Sequence, residues 1–449
     1  MNTLLIALSL LVGLGVALFV PGYGAGAVLL CAVCAGLAGY IINRTGDDSK
    51  HLLLQLFVIA LLVRVLIATV IYTLSLQNFF GGDALTYDEV GYTLLQVWQG
   101  KTNFQRSLEQ WFLGGGWGMI YGVAGVYAAF GRNMLAVQYV NCVLGAATAP
   151  AAFLCARHIF QNLQVARATA YFVALFPSLV LWSSQGLKDG PIVFLLVISM
   201  LATLKLGDRL SLKYFLVLVI SLLGLLSLRF YIFYMVVAAI GGSFLIGMRQ
   251  ASARSMFQQL IVVVGIGLAL TYLGVLRTAG TQLEAFGNLE AVQRGRSDLS
   301  QRANTGFGKD VDVSTTAGAI SAIPIGAAYL LFAPFPWQLA NLRQSITLPE
   351  MVVWWASFPL LVLGLWFTVR YRLRQALPIL IFTFMLTLAY SIFQGNVGTA
   401  YRQRSQLLVF YFIFVSVGYG LMKERREDRR RQALAARQVN VLGGRRRQA

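Results

Sequence analysis

The chain has 449 residues, of which 58% are hydrophobic and only 12% charged; its mean hydropathy is +0.70. A soluble domain carries about 25% charged residues, so this composition excludes a soluble enzyme and implies an all-α, polytopic transmembrane bundle. The net charge of +19 would favour nucleic acid in a soluble chain, but here the interleaved basic and aromatic surface that nucleic acid needs is absent.

In chain order, the first apolar run, 3–20, lacks a basic leader and an A-x-A cleavage site, and reads as a retained helix. Pro21-Gly22 separates it from a second run at 24–42. Cys31 and Cys34 in that run are spaced C-x-x-C, but among small residues in mid-helix they read as packing, not redox or zinc chemistry. Ten more runs follow, at 52–75, 133–156, 166–183, 190–206, 212–228, 230–248, 257–276, 349–369, 376–393 and 406–422. At about 20 residues per crossing, this gives about twelve spans. Of the 36 basic residues, 22 fall in one set of connections: Arg44 and Lys50, Arg157 and Arg167, Lys205 to Lys213, Arg249 and Arg254, Arg370 to Arg374, and the tail. Short basic loops mark the cytoplasm, so both termini are expected there, in what reads as a bacterial inner membrane.

The organisation that follows is two extra N-terminal helices (1–51), a transmembrane core (52–276) with a first outward loop at 76–132, a second outward loop (277–348), C-terminal spans (349–422) and a basic cytoplasmic tail (423–449). Residues 318–338 are apolar but broken by Pro324, Pro334 and Pro336. A full span there would invert every later loop, so the segment is expected to be re-entrant or interfacial. The tail reads as an anchor on anionic headgroups.

Polar residues concentrate outward, in 76–132, 277–348 and 394–405. Thr86 to Glu89 has the S/T-x-x-E form of a capping box, which would open a helix there with Asp88 in its first turn. Asp83, just ahead of that cap, is either a solvated loop residue or a general base for an acceptor hydroxyl. Lys188-Asp189 fills a short outward turn: a polar turn reaching water, or a lysine for phosphate beside an aspartate for a divalent cation such as Mg or Mn. Arg229, Arg402 and Arg404 also face outward, where they either snorkel or grip a phosphate. His51 and His158 fall at cytoplasmic ends, which argues against an outward zinc centre or Ser–His hydrolase. Arg64 alone lies clearly within a span, whereas a transporter keeps polar groups near the midplane.

In order, these features resemble the GT-C class of integral-membrane glycosyltransferases, closest to the branch of the protein O-mannosyltransferases and the lipid A aminoarabinose transferase. GGDALTYDEVGYTLLQVWQGK matches the first outward loop of that class at Asp83, Tyr87 and Gly100-Lys101. WGMIYGVAGVYAAFGRN, continuing into the next span, is similar to its interfacial helix, and ALFPSLVLWSSQGLKDGPIVF places Asp189 in its acidic turn. The likeness runs over about 52–206; Ala84 stands where the pattern has a second acid. It implies inverting transfer of a sugar from a polyprenyl-phosphate donor to a lipid-linked, glycan or protein acceptor outside the membrane, in cell-surface polysaccharide or glycolipid assembly. Asp83 would be the base. Tyr87, Asp88, Lys188, Asp189, Arg229, Arg402 and Arg404 would bind substrate, with Asp189 also a candidate for metal. Two other readings stay open: an oligosaccharide repeat-unit polymerase or ligase relying on arginines, and a lipid-linked sugar flippase.

Overall fold

A computed structural model describes residues 3–101, 116–247, 253–272, 275, 287–301 and 305–446. The described residues form seventeen helices and no strand. Three precede the first long loop: α1 (Thr3–Phe19), α2 (Gly24–Asn43) and α3 (Lys50–Thr73). That loop contributes α4 (Asp83–Trp98) and α5 (Trp117–Phe130). The core continues with α6 (Met134–Phe160), α7 (Leu163–Leu175), α8 (Pro177–Ser183), α9 (Asp189–Asp208), α10 (Leu212–Leu228), α11 (Phe230–Ile246) and α12 (Ala253–Tyr272). The second loop holds α13 (Leu289–Gln301) and α14 (Thr316–Phe332). The chain closes with α15 (Leu342–Tyr371), α16 (Leu373–Phe393) and α17 (Val397–Arg446). Seven of these are long and apolar enough to cross a membrane: α2, α3, α6, α9, α15, α16 and α17. The bent pair α7–α8 makes an eighth, while α1, α10 and α11 are shorter apolar helices of 17 residues each. The protein is a multi-pass membrane protein.

The expected run 166–183 is not one helix. Pro177 has no N–H for the Val173 carbonyl, the chain turns extended at Phe176, and α8 leaves α7 at 53°. Arg64 supplies what the break removes. Its guanidinium donates to Ala174 O at 2.7 Å, to Val173 O at 3.4 Å and to Ser183 Oγ at 2.8 Å. A fully buried cation inside α3 thus has a structural account, because carbonyls stranded in lipid must find a donor.

Two close approaches depend on glycine. A Cβ on Gly364 would lie 1.9 Å from Phe414 O, and one on Gly418 would lie 2.1 Å from Leu360 O, so α15 and α17 touch backbone to backbone. Gly326 does the same for α14, which packs against the Ser391 end of α16. The segment expected to be re-entrant or interfacial is a short apolar helix up to Phe332, with Pro324 inside it.

One expectation at the first outward loop is corrected. The helix after Gly81-Gly82 opens at Asp83, with Gly82 in the left-handed region (φ 77°) as its cap, so Thr86 and Glu89 lie inside α4 and make no capping box. Asp83 itself occupies the first turn. The basic tail continues the last span, since α17 runs unbroken to Arg446.

Candidate active site

The starts of α4, α9, α11 and α17 converge around one pocket of about 680 Å³. The C-terminal ends of α6 and α9 lie elsewhere, where His158 Nε2 sits 3.5 Å from Asp208 Oδ2. Asp83 and Asp189 each stand in the first turn of a helix, whose positive end favours a carboxylate. Arg402, in the second turn of α17, lies between them. Its Nη1 donates to Asp83 Oδ2 at 2.5 Å; its Nε and Nη2 reach Asp189 Oδ2 at 2.7 and 2.6 Å. One guanidinium therefore joins a fully buried carboxylate to one whose side chain is 53% exposed.

Arg229 completes the buried cluster. It sits in the extended link between α10 and α11, with Nη2 3.6 Å from Asp189 Oδ1. Neither Asp189 Oδ1 nor Arg229 Nη1 has a hydrogen-bond partner among the described residues, although both are buried. Such groups are costly in isolation, so the cluster is poised to take further polar contacts. Lys188 caps α9 and lines the same pocket. Burial, reinforced by the neighbouring Arg229, lowers its amine from the usual lysine range to about 8. Tyr87, one turn after Asp83, is pushed up to about 12 by burial and then by the Asp189 charge, so it faces the pocket as a neutral hydroxyl. Trp182 forms one wall, its ring 5.8 Å from the Arg402 guanidinium carbon.

The remaining candidates go elsewhere. Asp88 accepts from the Tyr127 hydroxyl and pairs with Arg132 at 2.5 Å, which ties α4 to α5. Arg404 is fully buried and points into the bundle, donating to Leu330 O at 2.6 Å and to Ala333 O, and touching Met351 Sδ at 3.1 Å. It pins the end of α14 to α17, and it does not line the pocket.

Residues not singled out from the sequence also matter. Asn141, within α6, donates through Nδ2 to Gln185 O and Leu187 O, both at 2.7 Å, and so holds the turn that presents Lys188 and Asp189. Its signal was a polar amide inside an apolar run. Arg343 enters the pocket from α15.

The two carboxylates of the cluster are already engaged by arginine. No group of three or more His, Cys, Asp or Glu residues that could hold a metal occurs among the described residues. The place between Asp83 and Asp189 is filled by Arg402, which with Arg229 offsets the two negative charges.

Residues 118–274, about a third of the chain, match the family of dolichyl-phosphate-mannose-protein mannosyltransferases. The chain carries a GT-C-type membrane glycosyltransferase domain. No curated protein matches it. The matched stretch of the glycosyltransferase includes Lys188, Asp189 and Arg229. Asp83, Tyr87 and Arg402 lie outside it, and they join the site through the fold.

Proposed function

We propose that the pocket transfers a sugar from a polyprenyl-phosphate donor to an acceptor hydroxyl at the outer face of the membrane, in the assembly of a cell-surface glycan or glycolipid. The observation that carries this reading is the Asp83–Arg402–Asp189 bridge, which puts a solvent-reachable carboxylate one guanidinium width from a buried cationic cluster. A lipid phosphate is amphipathic: its phosphate suits arginine and lysine at a bilayer rim, while its tail stays among apolar helices.

The chemistry follows from those positions. The phosphate accepts hydrogen bonds from Arg229, Arg402 and Lys188, and Arg229 Nη1 gains a partner. Asp83 Oδ1 takes the proton of the acceptor hydroxyl as that oxygen attacks the anomeric carbon from the face opposite the phosphate. The new C–O bond forms as the sugar–phosphate bond breaks, and the electron pair leaves with the phosphate. Charge growing on the leaving oxygen meets fixed guanidinium groups in a water-poor site, where such stabilisation is strongest. Holding both reactants at one rim supplies a large part of the rate through orientation.

In this reading the cations do the work a metal would do. Full-length protein in nanodiscs, given a polyprenyl-phosphate sugar and an acceptor, releases polyprenyl phosphate at a rate that chelators leave unchanged. Movement of the lipid-linked sugar across the membrane with no covalent product would contradict the proposal, and would favour a flippase.

The Lys188 amine gives the reaction a pH signature. Below about pH 8 it is charged and binds phosphate; above that it loses its proton and its grip. Donor affinity is therefore expected to fall from pH 8 upward, and Lys188→Arg, which stays charged, moves the fall to higher pH. Folding stability runs the other way. Between about pH 8 and the ordinary lysine range the unfolded chain binds more protons than the folded one, so stability rises with pH. Binding titrations and thermal melts across pH 7–10 separate the two trends.

A further inference from the structure

Besides its charged groups, the pocket is lined by a wall of different chemistry: Thr305, Asn341, Gln344, Thr347, Asn396 and Thr399. The backbone fixes which way its three amides point. Gln344 Oε1 accepts from the Ala340 N–H at 2.6 Å, and Asn341 Oδ1 accepts from the Gln344 N–H at 3.1 Å. Asn396 Oδ1 accepts from the Gly398 N–H at 2.8 Å and from the Thr305 hydroxyl at 2.7 Å. A flipped amide would set NH₂ against N–H in each case, so the network determines the orientation. In this orientation each amide keeps its NH₂ group, a donor, free of these bonds.

Charge on the pocket lining is equally one-sided. Among the described lining residues Asp83 is the one carboxylate at the pocket's charged end, facing Lys188, Arg229 and Arg402, and it is already paired. Arg343 lies beside the amide wall, its guanidinium carbon 5.5 Å from the Phe79 ring centre and its Nη2 3.5 Å from Asn78 O. The wall offers amide donors and a guanidinium, and each amide oxygen already accepts at least one internal bond.

We infer that this wall is the acceptor subsite, and that it takes an oxygen-rich, acidic glycan. Ring and hydroxyl oxygens meet Asn341, Gln344 and Asn396, and an acidic group meets Arg343. The assignment rests on the transferase reading above and names the acceptor class within it.

Three substitutions test it while keeping every internal bond: Asn341→Asp, Gln344→Glu and Asn396→Asp retain the accepting oxygen and replace the NH₂ donor with a second oxygen. The measurement is binding of a uronate-containing tetrasaccharide, its carboxyl-reduced neutral counterpart, a phosphorylated tetrasaccharide and a Ser/Thr-rich peptide to full-length protein in nanodiscs. Either acidic sugar is expected to bind more tightly than the neutral one. Each substitution weakens acidic-sugar binding by at least about tenfold, while affinity for polyprenyl phosphate alone is unchanged. Arg343→Gln removes the preference for acid. Unchanged tetrasaccharide affinity in all three variants, or tighter binding of the peptide, would overturn the assignment. A wild-type protein that fails to bind polyprenyl phosphate would remove the transferase reading and the subsite with it.

Discussion

Asp83→Asn is expected to lower turnover by about 10²–10⁴-fold, the usual contribution of a general base, while donor affinity stays near that of the wild type. The amide oxygen of asparagine still accepts from Arg402 Nη1, so the geometry of the rim survives and only the proton acceptor is lost. Single-turnover rates at saturating donor, set against binding of polyprenyl phosphate, make the comparison. The same variant separates a base-dependent transferase from a polymerase that relies on arginines alone, which would keep its rate.

Arg402 and Arg404 are two residues apart and face different tasks. Arg402→Ala removes the main partner of a fully buried aspartate, and stranding a buried charge costs about 3–5 kcal/mol. It also removes a phosphate ligand, so donor affinity is expected to fall by about 10–100-fold. Arg404→Ala strands the carbonyls of Leu330 and Ala333 instead. It should lower the melting temperature and leave donor affinity unchanged. Thermal melts with and without polyprenyl phosphate distinguish the two: ligand stabilisation is lost in the first variant and kept in the second. An equal loss of donor binding in both would contradict the geometry.

Much of the bundle was legible because lipid imposes a simple rule: long apolar runs become helices, and each expected run is largely helical where the structure describes it, the break at Phe176 being the main exception. The breaks were harder to read. Pro177 lay in plain sight, but the bend between α7 and α8 holds only because Arg64, more than a hundred residues earlier in the chain, bonds the freed carbonyls. The capping pattern at Thr86 was misleading for a related reason. Gly82 can adopt a positive φ that lets the helix begin one turn sooner, which puts Asp83 on the helix and not ahead of it.

The site was legible as a set of residue types at one end of the bundle, because Asp83, Lys188, Asp189, Arg229 and Arg402 all stand at helix starts or in the turns before them. Depth was not legible. Arg402 and Arg404 look alike in FQGNVGTAYRQRSQLL, yet two residues on a helix differ by about 200° in direction, so one meets the pocket and the other the interior. Asp88 and Asp83 diverge in a similar way, Asp88 turning toward Arg132 of the neighbouring helix turn.

The most direct measurement is a structure of the full-length protein in nanodiscs with a polyprenyl-phosphate sugar bound. The phosphate oxygens should lie within hydrogen-bonding distance of Arg229 and Arg402, with the anomeric carbon between them and Asp83. A phosphate seated away from both arginines, or a sugar that cannot reach Asp83, would contradict the account.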